Sequence, residues 1–322
     1  MTAPLLQVDA LSLEFRTRGG VVQALDRVSL AVAEGETVGI VGESGSGKSV
    51  MAHAVMGLLD RAGQITAGGV VWRGRQISAL PERALRRLRG PEIAMVFQNP
   101  RTALNPIRSV GRQLTDVIRG HRPLGRAAAH DEAVAMLRAV RISDPEARMD
   151  AYPFELSGGM CQRVMIALAL ACAPRLMIAD EPTTGLDVTT QAVIMDLIDA
   201  LSSERDMATV FITHDLALAA EHCDRIVVMH AGQVVETAAP ERLFSAPLHP
   251  YTRQLALSTP GPTSTIDTLE TVPGQLPDLT VAALPACRYA GRCPRAEPRC
   301  RTERPPPVAR DGDHRAWCWN PA

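Results

Sequence analysis

Residues 42–49 read Gly42-Glu43-Ser44-Gly45-Ser46-Gly47-Lys48-Ser49, directly after the apolar run Thr37–Val41 and before a helical pattern. The octapeptide matches G-x-x-x-x-G-K-S in the strand–loop–helix context that this motif requires, which commits the chain to an α/β sheet with the loop at a strand end. Its glycines let consecutive N–H groups face one point, and the following helix aims its positive end at the same point. Such a cradle takes phosphate. The spacing lets Lys48 reach the β- and γ-phosphates of ATP and the Ser49 hydroxyl ligate Mg²⁺. Lys48 is also the only lysine among the 34 Lys and Arg residues. A plain glycine-rich turn is the competing reading, and it gives no reason for the lone lysine to sit here.

The loop needs an acidic partner, and Leu176-Met177-Ile178-Ala179-Asp180-Glu181 is an apolar strand that delivers two carboxylates at its end. Asp180 is placed to orient the magnesium shell and Glu181 to polarise the attacking water as a general base. Further strands are predicted at Leu6 to Phe15, Val28 to Val32, Ile93 to Phe97 and Thr209 to Thr213. Ile226 to Met229 and Gln233 to Glu236 read as a hairpin closed at Ala231-Gly232. Helical patterns between the apolar strands make the core a mostly parallel α/β sheet. Val110 to Arg119 and Ala127 to Val140 are predicted helices of an inserted subdomain. Within it Val110, Leu114 and Ile118 fit either helix packing or the docking of a membrane partner.

A formal charge of -1 argues against a nucleic-acid footprint spread over the whole chain. Met1 to Phe15 alternates apolar and polar residues, so no signal peptide is expected. The most apolar helical stretch, Val164 to Ala173, is far shorter than the ~20 residues that span a bilayer. Membrane association is therefore expected through a partner.

Leu156-Ser157-Gly158-Gly159-Met160-Cys161-Gln162-Arg163 opens that helix and forms a second anion-seeking helix start. Together with Gln98, Glu181-Pro-Thr-Thr-Gly-Leu-Asp187 and Phe211-Ile-Thr-His214-Asp215, the order and spacing resemble the ATPase of an ABC transporter over residues 5–258. The resemblance implies a RecA-like core, an antiparallel β subdomain, an inserted helical subdomain at about 99–162 and a small irregular C-terminal module at 259–322. It also implies a head-to-tail dimer in which Ser157, Gly158 and Gly159 cap the γ-phosphate of ATP held by the partner's phosphate loop. By the same carry-over, Gln98 senses Mg²⁺ and the attacking water, Asp187 sits at the dimer seam, and His214 contacts the γ-phosphate. Phe15 falls where an aromatic stacks on adenine, although it reads equally well as a core strand residue. Met160 stands where glutamine is frequent, a change similar to the peptide-importer branch, and Cys161 departs from the common pattern.

Leu248-His249-Pro250-Tyr251-Thr252-Arg253 resembles the segment that opens the extension of oligopeptide, dipeptide and nickel importers. From Pro260 onward the chain is rich in proline and arginine and has little periodicity. It carries Cys287, Cys293, Cys300 and Cys318, spaced C-x5-C-x6-C-x17-C. Four clustered cysteines in a chain expected to be cytosolic favour metal over disulfides. The spacing fits no ribbon of two C-x2-C knuckles, and Cys293-Pro294 is similar to the proline beside some cluster ligands. The resemblance favours a [4Fe-4S] cluster, with zinc as the alternative and four reduced thiols as the bland reading.

The expected function is that of the ATP-hydrolysing subunit energising peptide uptake from the cytoplasmic face of the membrane. Its expected partners are a second ABC ATPase, another copy or a relative, two transmembrane permease subunits, and an extracytoplasmic solute-binding protein reached through them. Nickel or another small solute is the alternative cargo. A soluble ABC ATPase working on nucleic acid fits less well, for want of coiled coils or a tandem engine. A phosphate-loop kinase would leave Ser157-Gly158-Gly159 without a purpose.

Overall fold

Along Leu6–Thr17 apolar side chains alternate with polar ones, so a strand here buries Leu6, Val8, Leu11 and Leu13 on one face. The computed structural model, which describes residues 3–260, 270–280, 283–310 and 312–321, forms that strand as β1. It pairs antiparallel with β2 (Gly20–Val32) and β4 (Gly63–Trp72), and β5 (Arg75–Gln76) completes a four-stranded sheet of order β2-β1-β4-β5. The β1–β2 and β1–β4 registers both slip near Ala10, whose φ of 43° marks a bulge that bends the sheet.

The chain divides into two compact units, Met1–Leu80 with Phe211–Ala322, and Pro81–Val210. In the first, β3 (Thr37–Val41) runs parallel to β9 (Arg225–His230), and four of its five residues are buried. Strand β9 turns through Ala231 and Gly232, at φ 47° and 82°, into antiparallel β10 (Gln233–Ala238). Two consecutive positive φ angles are what a tight two-residue hairpin demands. Beyond β10 the sheet continues with β12 (Arg315–Trp317) and β11 (Pro307–Ala309). These three-residue strands lie in the stretch whose sequence shows no periodicity, and they hydrogen-bond the C-terminal extension to β10. The unit's helices are α1 (Lys48–Met56), α9 (Leu216–His222), α10 (Pro240–Ser245), α11 (Pro250–Leu257) and α12 (Arg299–Thr302). Positions 261–269 of the extension lie outside the described residues.

In the second unit β6 (Ile93–Val96) and β7 (Leu176–Asp180) are parallel and wholly buried, as unbroken apolar runs in a covered sheet should be. Its helices are α2 (Glu82–Leu88), α3 (Pro100–Ala103), α4 (Val110–His121), α5 (Arg126–Ala139), α6 (Pro145–Arg148), α7 (Gly158–Leu170) and α8 (Val188–Glu204). Val110, Leu114 and Ile118 of α4 are fully buried, so in this chain they are helix packing rather than an exposed docking face. Strand β8 (Ala208–Thr213), all six residues buried, carries the chain from the second unit back to the first.

Candidate active site

The phosphate loop leaves β3 and closes into α1 just as its glycines allow. Gly47 caps α1 in the left-handed region at φ 98°, with no side chain occupying the helix start. A Cβ on Gly42 would fall on the Met229 carbonyl oxygen, so only glycine lets the loop pass β9 here. Inside the loop the Lys48 ammonium is nearly buried and donates to the carbonyls of Gly42 at 2.7 Å and Glu43 at 2.9 Å, and to Ser46 Oγ at 3.4 Å. A buried ammonium requires such acceptors, and these fix it within the curl of the loop. Ser49 follows in the first turn of α1, while Ser44 and Gly45 stand exposed at the loop's crest.

In the second unit Asp180 ends β7 and is buried, and Glu181 follows with φ at 46°. That left-handed backbone is costly for a side-chain-bearing residue. Glu181 Oε2 accepts from Gln98 Nε2 at 2.8 Å and from Thr184 Oγ1 at 2.9 Å. Gln98 and Glu181, expected to hold separate roles at the attacking water, are thus directly bonded across 83 positions. His214 is exposed at the end of β8, beside Asp215, which caps α9 by accepting the Leu218 N–H. Phe15 is half-buried on β1, with its ring against Gly63.

Ser157 caps α7 by accepting the Met160 N–H at 3.3 Å, leaving its own helix start open toward a groove. Ser157, Gly158, Gly159, Arg163, Asp187 and Thr190 line that groove, whose empty volume is about 720 Å³. Asp187 caps α8, accepting from Thr190 N at 2.9 Å and Thr190 Oγ1 at 2.7 Å, and these bonds hold its carboxyl below the usual carboxylate range. Cys161 is fully buried with its Sγ on the Pro153 carbonyl, and burial raises its thiol, so the departure from the common signature is a small core residue.

The four extension cysteines line one small cavity. Backbone N–H groups point at each sulfur: Tyr289 at Cys287, Arg295 at Cys293, Asn320 at Cys318, and Glu297 at Cys300, the last at 3.4 Å. Burial, reinforced by the other three thiols, pushes the Cys287 thiol up to about 11. Among the described residues, no three His, Cys, Asp or Glu side chains meet closely enough to hold a single metal ion.

Sequence reasoning missed what stands behind the phosphate loop. Arg292 Nη1 and Nη2 donate to the Glu43 carboxylate at 2.7 and 3.0 Å, and the Glu43 N–H donates to Tyr251 Oη at 3.0 Å. His230 and His249, packed with Tyr251 and Tyr289, are both held near a pKa of about 3 by burial, so each is neutral. The bonds to Glu43 join residues 249 and 208 positions apart, and no local spacing announces them.

The ABC transporter family matches residues 25–184 and the oligopeptide/dipeptide transporter C-terminal region matches residues 235–300. The dipeptide transport ATP-binding protein DppD of Escherichia coli is 47% identical over 301 residues, covering 94% of this chain and 92% of that protein. This chain belongs to the ABC transporter ATPases. Another relative of this ABC ATPase, the probable peptide ABC transporter ATP-binding protein y4tR of Sinorhizobium fredii, is 47% identical over 317 residues, covering 98% of this chain and 94% of that protein. Among solved structures, the dimeric post-hydrolysis ATP-binding cassette MJ0796 bound to ADP and Pi aligns with a TM-score of 0.66 at 28% identity, covering 73% of this chain and 98% of that one. CbiO1 from Clostridium perfringens, part of the ABC transporter complex cbiONQ, aligns at 0.64 and 26% identity over 76% of this chain and 92% of its own. The chain is accordingly an ATP-hydrolysing enzyme and the ATP-binding subunit of a transporter. No described helix is long and apolar enough to cross a membrane.

Proposed function

We propose that this ABC ATPase energises the uptake of peptides, seated on the cytoplasmic face of the membrane beneath two transmembrane permease subunits. Its other partners in this reading are a second ABC ATPase and an extracytoplasmic solute-binding protein that delivers the peptide. The observation that carries the proposal is the extension, since residues 235–300 match the oligopeptide/dipeptide transporter C-terminal region. The names of the relatives in Escherichia coli and Sinorhizobium fredii point the same way. Glu181 acts as general base, oriented by Gln98 and Thr184, and Lys48 binds the terminal phosphates. Ser49, Asp180 and Gln98 hold Mg²⁺, and His214 contacts the γ-phosphate. Phe15 stacks on adenine. Ser157, Gly158 and Gly159 serve the partner's nucleotide, with Asp187 at the seam. Support for that last assignment is the groove beside them, which the Ser157 and Asp187 caps shape without filling.

Reconstitution tests the cargo. The chain is combined with its permease subunits and solute-binding protein in liposomes, and labelled dipeptides, oligopeptides and nickel are offered. Peptide accumulation that requires ATP on the side of the ATPase is the expected result. Accumulation of nickel with none of peptide would overturn the assignment of cargo.

For the cysteine cavity we favour an iron–sulfur cluster, of the [4Fe-4S] type, over zinc. The spacing C-x5-C-x6-C-x17-C fits no zinc ribbon of two C-x2-C knuckles. Cys287, Cys293, Cys300 and Cys318 line one cavity and would supply the four thiolates that hold such a cluster, with backbone N–H groups facing the sulfurs. Such a cluster supplies iron–thiolate bonds that knit together segments with little apolar core of their own. Protein purified without oxygen is expected to contain iron and acid-labile sulfide in near-equal amounts, lost together in a variant with Cys287, Cys293, Cys300 and Cys318 all changed to serine. Zinc without sulfide would sink the idea.

A further inference from the structure

Glu43, the second residue of the phosphate loop, is restrained at three points. Its carbonyl accepts from Lys48 Nζ at 2.9 Å, its N–H donates to the Tyr251 phenol, and its carboxylate takes both Nη groups of Arg292. Two of these three restraints come from residues C-terminal to β10. Arg292 is itself fixed, with Nε on the Pro273 carbonyl at 2.6 Å and Nη1 at 3.2 Å from His230 Nε2, and its side chain is 6% exposed. Tyr251 is fully buried. A second arginine braces the other side of the loop. Arg288 Nη1 donates to the Ala231 carbonyl at 2.6 Å and to the Gln23 carbonyl at 2.8 Å, and the adjoining Gly232 N–H donates to the Ser46 carbonyl at 2.8 Å. Each arginine is the chain neighbour of a cavity cysteine, Arg288 of Cys287 and Arg292 of Cys293.

We propose that the C-terminal extension positions the phosphate loop: Arg292 and Tyr251 lock the Glu43 peptide that anchors Lys48, so the affinity for ATP depends on the extension's fold. These are positioning residues, since neither is placed on the nucleotide. The bidentate guanidinium–carboxylate pair gives the restraint direction as well as strength. Because the pair is mostly desolvated, its loss leaves a charge unmatched and frees the loop to adopt other conformations. The dependence follows from connectivity: whatever loosens the Cys287–Cys293 segment moves both arginines together.

The full-length chain is compared as wild type, Tyr251→Phe, Glu43→Gln, Arg292→Ala and the Glu43→Gln/Arg292→Ala double variant. Readouts are Mg-ATP affinity by displacement of a fluorescent ATP analogue, KM and kcat for ATP, and melting midpoint. Each single variant is expected to raise the Kd and KM for ATP by about tenfold, the size of one lost charge-assisted or buried hydrogen bond, with kcat within about twofold. The double variant should bind no worse than the weaker single, because both changes break one pair. Tyr251→Phe and Glu43→Gln binding ATP within about twofold of wild type at unchanged melting midpoints would overturn the proposal. So would weakened binding confined to Arg292→Ala together with a lowered midpoint, which would make the arginine a brace for the fold alone.

Discussion

Replacing Glu181 by glutamine is expected to slow ATP turnover by about 10²- to 10⁴-fold, the range that a general base contributes, while nucleotide binding stays intact. The separation of the two effects follows from the geometry. Glutamine keeps the length of the side chain, and its carbonyl oxygen can still accept from Gln98 Nε2 and Thr184 Oγ1, which now bond Glu181 Oε2. What disappears is the basic oxygen. The backbone at Glu181, with φ at 46°, is strained before and after the change, so the fold has no reason to relax differently. Lys48 keeps its bonds within the phosphate loop and should still take the terminal phosphates. In the proposed pairing with a second ATPase, ATP held without being hydrolysed should then accumulate in a closed dimer. Size-exclusion chromatography with Mg-ATP checks this: a dimer that persists in Glu181→Gln and dissolves in wild type as ATP is spent. Hydrolysis by the variant at the wild-type rate would remove Glu181 from the role of base.

The sequence made some parts legible and hid others for physical reasons. The phosphate loop was readable because contiguous residues make it, and Gly42 and Gly47 have backbone requirements that few other residues meet. Strands β3 and β7 were readable because buried parallel strands are unbroken apolar runs, and β8 is buried along its whole length. The hairpin at Ala231-Gly232 was readable from its turn. Strand β4 was not, since Gly68 and Gly69 interrupt its pattern where it passes the bulge of β1. Strands β11 and β12 are three residues long, too short for any period to show. The bond between Gln98 and Glu181 and the Tyr251 and Arg292 restraints on Glu43 escaped for another reason. They join residues from 83 to 249 positions apart, and only the fold makes them neighbours. The burial of Glu236 escaped likewise, since its partners Leu248, His249 and His314 lie 12, 13 and 78 positions further along the chain.

Glu236→Ala is expected to destabilise the chain by about 3–5 kcal/mol, although the residue touches no nucleotide. Its side chain is fully buried on β10. One oxygen accepts from the Leu248 N–H at 2.8 Å and lies 2.7 Å from His314 Nε2, and the other accepts from the His249 N–H at 2.7 Å. Alanine would strand two buried backbone donors and one buried imidazole, each costing roughly 1–3 kcal/mol when left unmatched. Glutamine offers one acceptor in place of two and turns an NH₂ toward a donor, so Glu236→Gln should recover only part of the loss. The damage should also spread along the chain. His249 caps α11 by accepting the Tyr251 N–H at 3.1 Å, and Tyr251 is the phenol that holds the Glu43 peptide. A lower melting midpoint, by roughly 10 °C for alanine, is therefore expected together with weaker ATP binding measured well below that midpoint. Equal ATP affinity in Glu236→Ala and wild type, at a temperature where both are folded, would show that the Leu248–Tyr251 turn keeps its shape without the carboxylate. A melting midpoint unchanged in Glu236→Ala would mean that water replaces the lost acceptor at no cost, against the burial of all four groups.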